Sequence, residues 1–369
     1  MSDFEHFTGT RAASGSHVFD TDALTAWLIT HLPGFQGPIQ VEMFKGGQSN
    51  PTYKLVTPSG SYVMRAKPGP VAQLLPSAHA VEREFTVMRG LEGTAVPVPR
   101  MLCLCEDESV IGRAFYLMEY MEGRVLWDPL LPGTSAPQRT AIYHEMNRVI
   151  AELHSVNIAQ QGLSAYGKPG NYFERQIGRW SRQYLASITQ PIAEMDQLME
   201  WLPKNIPAMA RDEKMVSVVH GDFRLDNLMF DAQEAKVIAV LDWELSTLGH
   251  PLADFSYHCM AWNIPAGLFR GIGGEDLDAL GIPAQEDYIR LYCERTGLAT
   301  PAQLQEDWNF YMAYNMFRIA AILQGIGKRV EAGTASSAQA VSSAAGARPL
   351  AELAWGFARR AGAQSKTLS

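Results

Sequence analysis

Positions 218–231 read V-V-H-G-D-F-R-L-D-N-L-M-F-D, 237–244 read V-I-A-V-L-D-W-E, and 249–255 read G-H-P-L-A-D-F. Three polar residues stand there in a fixed order. Asp222 follows the β-branched run V-S-V-V at 216–219, which places it on a loop leaving a buried strand. Asn227 comes five residues later, and the intervening F-R-L-D loops out and back, bringing both side chains to one cleft. Asp242 ends the apolar run 237–241. A buried strand that ends in a lone carboxylate sets that group at the strand tip, where a cation neutralises it. Asp and Asn are also common in turns and caps, for local hydrogen-bonding reasons. That reading suits any one of the three better than it suits the set. A phosphoryl transfer from ATP needs such a set: one carboxylate to accept the proton of the attacking hydroxyl, and an amide oxygen and a second carboxylate to hold magnesium against the phosphates.

The bulk properties bound this reading. At 369 residues the chain suits two lobes or domains. Hydrophobic residues make up 47% and charged residues 19%, which is ordinary for a globular protein. A net charge of −8 argues against a nucleic-acid partner, which would want a basic face. The cysteines (Cys103, Cys105, Cys259 and Cys293) lack a zinc spacing and read as buried free thiols. No apolar run is long enough to span a bilayer, and the N-terminus lacks a leader pattern. A cytoplasmic enzyme without a membrane partner is the expectation.

The chain divides as follows. Residues 1–34 read as a loose polar tail (1–18) and a short helix capped by Asp20 or Thr21, with Leu24, Trp27, Leu28 and Leu32 apolar. Residues 35–122 read as a small lobe with strands at 39–44, 52–56, 61–67, 100–105 and 114–119. A helix at 77–91 belongs to it, with Ser77 as N-cap and Val81, Phe85 and Met88 as its stripe. That gives a five-stranded antiparallel sheet with one helix. Residues 123–369 read as a helical lobe holding the catalytic loop and the acceptor site. Its helices fall near 137–155, 171–188, 191–202, 251–262, 284–295, 303–327 and 347–361, around a β-rich insert at 216–242. The low-complexity segment 331–346 reads as a link or an Ala-rich helix end.

The string H-G-D-F-R-L-D-N-L at 220–228, with V-L-D-W-E at 240–244, resembles the aminoglycoside phosphotransferase and choline kinase-like superfamily. The resemblance implies an α+β, protein-kinase-like two-lobed fold and a small-molecule kinase using ATP and Mg2+. It implies Asp222 as catalytic base, Asn227 and Asp242 as magnesium ligands, and His220 as support for the catalytic loop. Protein kinases carry an Arg after that His; here the residue is Gly221, which favours a small-molecule acceptor.

The same resemblance extends through roughly 35–330. Arg65 falls where the family places its phosphate-contacting cation, and Lys67, on the same strand face, competes for the role. An exposed basic strand face is the plain alternative for both. In V-E-R-E-F at 81–85 the resemblance implies Glu84, not Glu82, as the cation's partner, and the two, being two apart on a helix, face different ways. Glu82 reads as a solvated position. Backbone groups at Glu119 to Met121 would read the adenine edge. The Gly-rich turn at 45–50 would cover the phosphates, with Ser49 and Asn50 adding donors. Hairpins use the same residues, so that turn alone is weak. Asp254 matches a family residue with a structural role.

A narrower resemblance rests on G-G-Q-S-N-P-T-Y at 46–53, L-L-P-S-A-H-A-V-E-R-E-F at 74–85 and L-D-W-E-L-S-T-L-G-H-P-L-A-D at 241–254. These look like the kinase domain fused to some acyl-CoA dehydrogenases, a branch associated with phosphorylating 4-hydroxyacyl-CoA. The expected acceptor is therefore a hydroxyacyl-CoA or related hydroxy acid, with any partner dehydrogenase a separate protein. An aminoglycoside or choline-type kinase and a catalytically silent nucleotide-binding scaffold are the alternatives.

Other features carry less. His144, His154, His250, His258 and Cys259 do not repeat a zinc pattern. Phe310, Tyr311, Tyr314 and Phe317 fall at helical spacing and read as core. Arg318, Lys328 and Arg329 near them either pack structurally or meet an anionic substrate.

Overall fold

The computed structural model describes residues 9–45, 50–68, 80–333 and 338–367. The elements are, in chain order, β1 (Thr10–Ala12), α1 (Thr21–His31), β2 (Gln40–Phe44), β3 (Thr52–Thr57), β4 (Gly60–Ala66), α2 (Val81–Leu91), β5 (Met101–Cys105), β6 (Phe115–Glu119) and β7 (Arg124–Val125). Next come α3 (Ala136–His154), α4 (Tyr172–Ser187), α5 (Ala193–Lys204), β8 (Ser217–Val219), β9 (Leu228–Phe230), β10 (Val237–Val240) and β11 (Thr247–Gly249). The chain then continues through α6 (Pro251–His258), α7 (Leu277–Leu280), α8 (Gln285–Thr296), α9 (Pro301–Glu331), α10 (Ala338–Ala345) and α11 (Ala347–Thr367).

These elements form two compact units. The first holds the chain up to Trp127 together with Ala159–Tyr166 and Asn227–Ser246. The second holds Asp128–Ile158, Gly167–Asp226 and the chain from Thr247 onward. The segment 227–246, read from sequence as part of the helical lobe, thus packs with the first unit. Apolar strands explain this. β10 pairs with β9 and β9 with β7, which makes a three-stranded sheet at the end of the first unit.

The main sheet of the first unit runs in the order β1-β2-β3-β4-β6-β5, and every neighbouring pair is antiparallel. All five expected strands are present. A sixth, β1, comes from the segment expected to be a loose tail. Its ladder to β2 sets Thr10 opposite Phe44, and the Thr10 hydroxyl donates to Glu42 Oε2 at 2.6 Å. Backbone pairing with an open edge outweighs the polar composition that suggested a tail. Alternation along β4 turns Met64 and Ala66 into a core with Tyr53, Leu55, Phe115 and Leu117, leaving Arg65 on the opposite face. Asp20 caps α1 by accepting from the N–H groups of Asp22 and Ala23, both at 2.9 Å. The expected N-cap Ser77 lies outside the described residues. The buried stripe of α2 is Val81, Glu84, Val87, Met88 and Leu91, with Phe85 only partly covered. A carboxylate therefore occupies an apolar stripe, which is costly unless it is paired.

The second unit is built around α9. Thr300 and Gln303 cap its start reciprocally, Gln303 Oε1 accepting from Thr300 N at 2.9 Å, and Pro301 occupies the first turn. Phe310, Tyr311, Tyr314 and Phe317 are buried. Phe173 of α4 meets the first three of these rings with centroids 4.9–5.7 Å apart. Phe255 of α6 stacks on Tyr292 of α8 at 3.7 Å. The short ladder β8–β11 sits in this unit, with α3 and α6 packed on β8. Within the low-complexity segment, α9 reaches Glu331 and 338–345 form α10, with turns at Ala332, Gly333 and Gly346. Among the described residues no helix is long and apolar enough to cross a membrane.

Candidate functional site

In the first unit the site grows from one arginine. Arg65 projects from the face of β4 that α2 covers. Its Nε lies 2.9 Å from Glu84 Oε2 and its Nη2 lies 2.6 Å from Asp242 Oδ1, with Glu244 Oε2 at 3.9 Å. Burial opposes the arginine's charge, but the carboxylates of Glu84 and Asp242 outweigh it and hold the guanidinium pKa above its ordinary value. Burial raises the Glu84 pKa, and Arg65 pulls it back. Two neutral donors complete the Glu84 site: Asn50 Nδ2 at 2.7 Å from Oε1 and the Tyr116 hydroxyl at 3.1 Å from Oε2. A buried carboxylate is tolerable when its lone pairs are satisfied in this way.

Lys67 pairs instead with Glu82, its Nζ 3.1 Å from Oε2. Arg65 of β4 and Lys67 just beyond its end thus take the two carboxylates of α2 separately, and the deeper pair is Arg65–Glu84. Asn50, read from sequence as a phosphate-side donor, is fully buried, and its amide faces Glu84. Its side chain supports the carboxylate that orients Arg65. Ser49 and the glycines of that turn lie outside the described residues.

Asn227 and Asp242 also belong to the first unit. Asn227 immediately precedes β9, and Asp242 stands two residues beyond β10. The ladder pairs Leu228 with Val240, and Leu241 N donates to Asn227 O at 2.8 Å. One hairpin therefore brings both residues to its open end. Asp242 adopts the left-handed conformation (φ 63°, ψ 62°), a strained state for a residue with a Cβ. A carboxylate and an amide oxygen are hard donors. Magnesium takes one or two protein carboxylates and completes its shell with phosphates and water, so this pair fits that ion. Among the described residues no group of three or more His, Cys, Asp or Glu is placed to hold a metal. The cysteines are free thiols, three of them buried.

Glu119 ends β6. Its Oε1 accepts from Arg100 N at 2.9 Å, and its own N–H donates to Arg100 O at 3.0 Å. Met121 follows, half-buried.

The second unit carries Asp222. The loop leaving β8 is held by its backbone. Asp254 of α6 accepts from His220 N at 2.7 Å and from Gly221 N at 2.8 Å, and its Oδ2 also lies 3.3 Å from His154 Nε2. Burial opposes this carboxylate's charge, but those donors hold its pKa below the ordinary range. Gly221 has φ +83°, so a glycine is favoured directly before Asp222. The Gly221 carbonyl accepts from Arg318 Nη2 of α9, and the Arg318 guanidinium lies over the rings of Tyr257 (5.0 Å) and Trp180 (5.4 Å). His220 Nδ1 accepts from Asp222 N at 3.2 Å. This geometry gives His220, Asp254 and Arg318 a common effect, which is to fix the peptide that carries Asp222.

Both carboxylate oxygens of Asp222 are engaged. The Tyr257 hydroxyl donates to Oδ1, and Arg224 Nη2 lies 3.2 Å from Oδ2. Burial, then the nearby Asp222 charge, raises the Tyr257 pKa and keeps it a neutral donor. Asp226 bridges Arg224 (3.4 Å) and Arg270 (2.9 Å). The sequence reading missed Tyr257, Arg224, Asp226 and Arg270. Arg224 and Asp226 lie inside the quoted motif, and their alternating charges with Asp222 were a usable signal. Tyr257 and Arg270 arrive only through tertiary structure.

This combination of fold and residues defines a small-molecule phosphotransferase with a kinase-like α+β fold. Residues 40–304 match the phosphotransferase enzyme family (APH), and the chain belongs to that family. A Ralstonia eutropha JMP134 protein assigned as an aminoglycoside phosphotransferase is 59% identical, with TM-score 0.84 over 93% of this chain and 99% of that one. Choline kinase from Cryptosporidium parvum shares the fold at 13% identity, with TM-score 0.59 over 95% of this chain and 96% of that one. Mouse acyl-CoA dehydrogenase family member 10 is 48% identical over 328 residues, 88% of this chain and 30% of the relative. Human acyl-CoA dehydrogenase family member 11 is 39% identical over 348 residues, 93% of this chain and 44% of the relative. The chain thus spans less than half the length of the dehydrogenase-named relatives it matches.

Proposed function

We propose that this phosphotransferase moves the γ-phosphoryl group of ATP to a hydroxyl of a small acceptor, and that the acceptor is a hydroxyacyl-CoA or a related hydroxy acid. One observation carries the reading: Arg65 pairs with both Glu84 and Asp242, so the candidate phosphate cation and a candidate metal ligand occupy one place. Asn227 and Asp242 would hold magnesium, which when bound neutralises charge on the phosphates. Arg65, oriented by Glu84, steadies the α- and β-phosphates. The backbone at Glu119 to Met121 reads the adenine edge. Asp222 orients the acceptor hydroxyl and takes its proton as that oxygen attacks phosphorus in line.

The thioester acceptor is supported by the similarity to proteins named as acyl-CoA dehydrogenases. A dehydrogenase acting on the same acyl chain fits that similarity. The test is ADP release with magnesium and ATP across 4-hydroxyacyl-CoAs, free hydroxy acids, choline and an aminoglycoside, with Asp222→Asn as control. Turnover confined to the thioesters and acids, lost in Asp222→Asn by about 10³-fold or more while nucleotide binding persists, is the expected result. Turnover with an amine-bearing acceptor overturns the acceptor assignment. Silence on every acceptor despite magnesium-dependent ATP binding favours a nucleotide-binding scaffold.

A further inference from the structure

The second unit holds a charge pattern around Asp222 that proton abstraction does not require. Asp222, Arg224, Asp226 and Arg270 form a continuous chain of ion pairs, with contacts of 3.2, 3.4 and 2.9 Å. Arg318 adds a third guanidinium through the Gly221 carbonyl. Asp254 faces the same peptide through the Gly221 N–H, so three guanidinium groups and three carboxylates meet around this loop. Arg318 is buried, whereas the side chains of Arg224 and Arg270 are 28% and 32% exposed, so their outer edges face solvent.

Arg270 is held there at a conformational cost. Phe269 (φ +35°) and Arg270 (φ +57°) are consecutive residues in the left-handed region, which side chains bearing a Cβ rarely adopt. The surrounding loop enforces the bend. Gly271 N donates to Leu268 O at 2.8 Å, Gly273 N to Ile264 O at 2.9 Å, and a Cβ on Gly271 would fall 2.1 Å from Ile264 O. Backbone strain of this kind persists where the surroundings over-determine it, and it clusters at functional sites. Burial lowers the Arg270 pKa, and the Asp226 carboxylate beside it opposes that shift. A further anion at this edge would stabilise the guanidinium charge, whereas an amine-bearing acceptor would be repelled.

We infer that Arg270, seconded by Arg224, is a specificity-determining residue that binds an anionic group, phosphate or carboxylate, on the acceptor whose hydroxyl meets Asp222. This rests on the phosphotransferase reading of Asp222 given above. A guanidinium presents a planar fork to either anion, which suits both sources.

The test compares wild type, Arg270→Gln and Arg270→Lys on three acceptors that share one 4-hydroxyacyl group: the CoA thioester, the free acid and the neutral N-acetylcysteamine thioester. Wild type is expected to prefer an anionic acceptor. Arg270→Gln should lower kcat/KM for it, mainly through KM, by about 10- to 100-fold more than for the neutral acceptor. Arg270→Lys should recover part of the loss. A drop confined to the CoA thioester assigns the phosphates, and a drop shared by the free acid assigns the carboxylate. An equal loss on charged and neutral acceptors overturns the inference and leaves Arg270 as a brace for Asp226. Calorimetric binding of CoA and of the free acid gives a readout independent of turnover. Binding by wild type that weakens tenfold or more in Arg270→Gln supports the anion site even if no acceptor turns over, which would count against the kinase reading alone. Wild type that binds neither overturns the site.

Discussion

Arg65 and Asp242, 177 positions apart in the chain, meet at 2.6 Å, and the same guanidinium lies 2.9 Å from Glu84. A planar fork serves two carboxylates in fixed directions, whereas an ammonium offers three rotatable donors from a single point. Arg65→Lys, conservative by charge, should therefore lose one of the two contacts. The KM for ATP is expected to rise about 10- to 100-fold, the range set by a charge-assisted hydrogen bond. Steady-state kinetics and nucleotide titration check this. An unchanged ATP affinity would remove Arg65 from the phosphate site and return Lys67 as the candidate.

Asp254 receives two backbone N–H groups of the loop that carries Asp222. Asp254→Asn keeps the shape but turns one acceptor oxygen into a donor facing an N–H. The loss should be about 2 kcal/mol or more of unfolding free energy, together with a fall in kcat in the fraction that remains folded. Urea unfolding and active-fraction kinetics separate the two effects. A kcat per folded molecule equal to wild type would mean that the clamp does not position Asp222.

Gly221 sits at φ +83°. Gly221→Ala should destabilise by about 1–2 kcal/mol through the left-handed backbone alone. It should also depress kcat, because the carbonyl that Arg318 holds and the N–H that Asp254 holds belong to this residue. Thermal melts beside kinetics test the point. A variant indistinguishable from wild type would show that the loop relaxes freely.

Burial pushes both His250 and His258 down to about 4 from an ordinary value near 6.5. The native state keeps them neutral while the unfolded chain takes up protons below about 6.5. Their contribution to stability is therefore complete above that pH and is lost as the pH falls toward 4. Each pKa unit is worth about 1.4 kcal/mol, so the combined loss should reach several kcal/mol. The histidine contribution to the denaturation midpoint should be flat above about 6.5 and fall steeply between about 6.5 and 4. A His258→Gln variant with an equally steep fall would remove His258 from this account.

The fold and the candidate residues were legible to different depths. The five expected strands could be read because alternation is a local signal. β1 could not, since its three residues gain stability only by pairing with an edge made elsewhere in the chain. Asp222, Asn227 and Asp242 stood out through order and spacing. The placement of 227–246 in the first unit did not, because a hairpin's neighbours are not written in its own sequence. The inward reach of Asn50 was not legible for a similar reason: turn residues look alike whether they reach outward or, as here, donate to a buried glutamate. Tyr257 carries no mark in sequence that separates it from the other buried aromatic residues of its region.

The anchoring of Asp222 by α6 and α9 has a consequence for retargeting this enzyme. The peptide bearing the candidate base is fastened by Asp254 and Arg318, both on core helices, and not by the loop at 264–282 that displays Arg270. On the anion-site proposal that loop sets acceptor preference, and it reaches the Asp222 side chain through Asp226 and Arg224 while the two helices hold the Asp222 peptide. That loop can be exchanged or diversified in a library while the two helices are kept, and the surviving variants should differ in what they phosphorylate more than in whether they can.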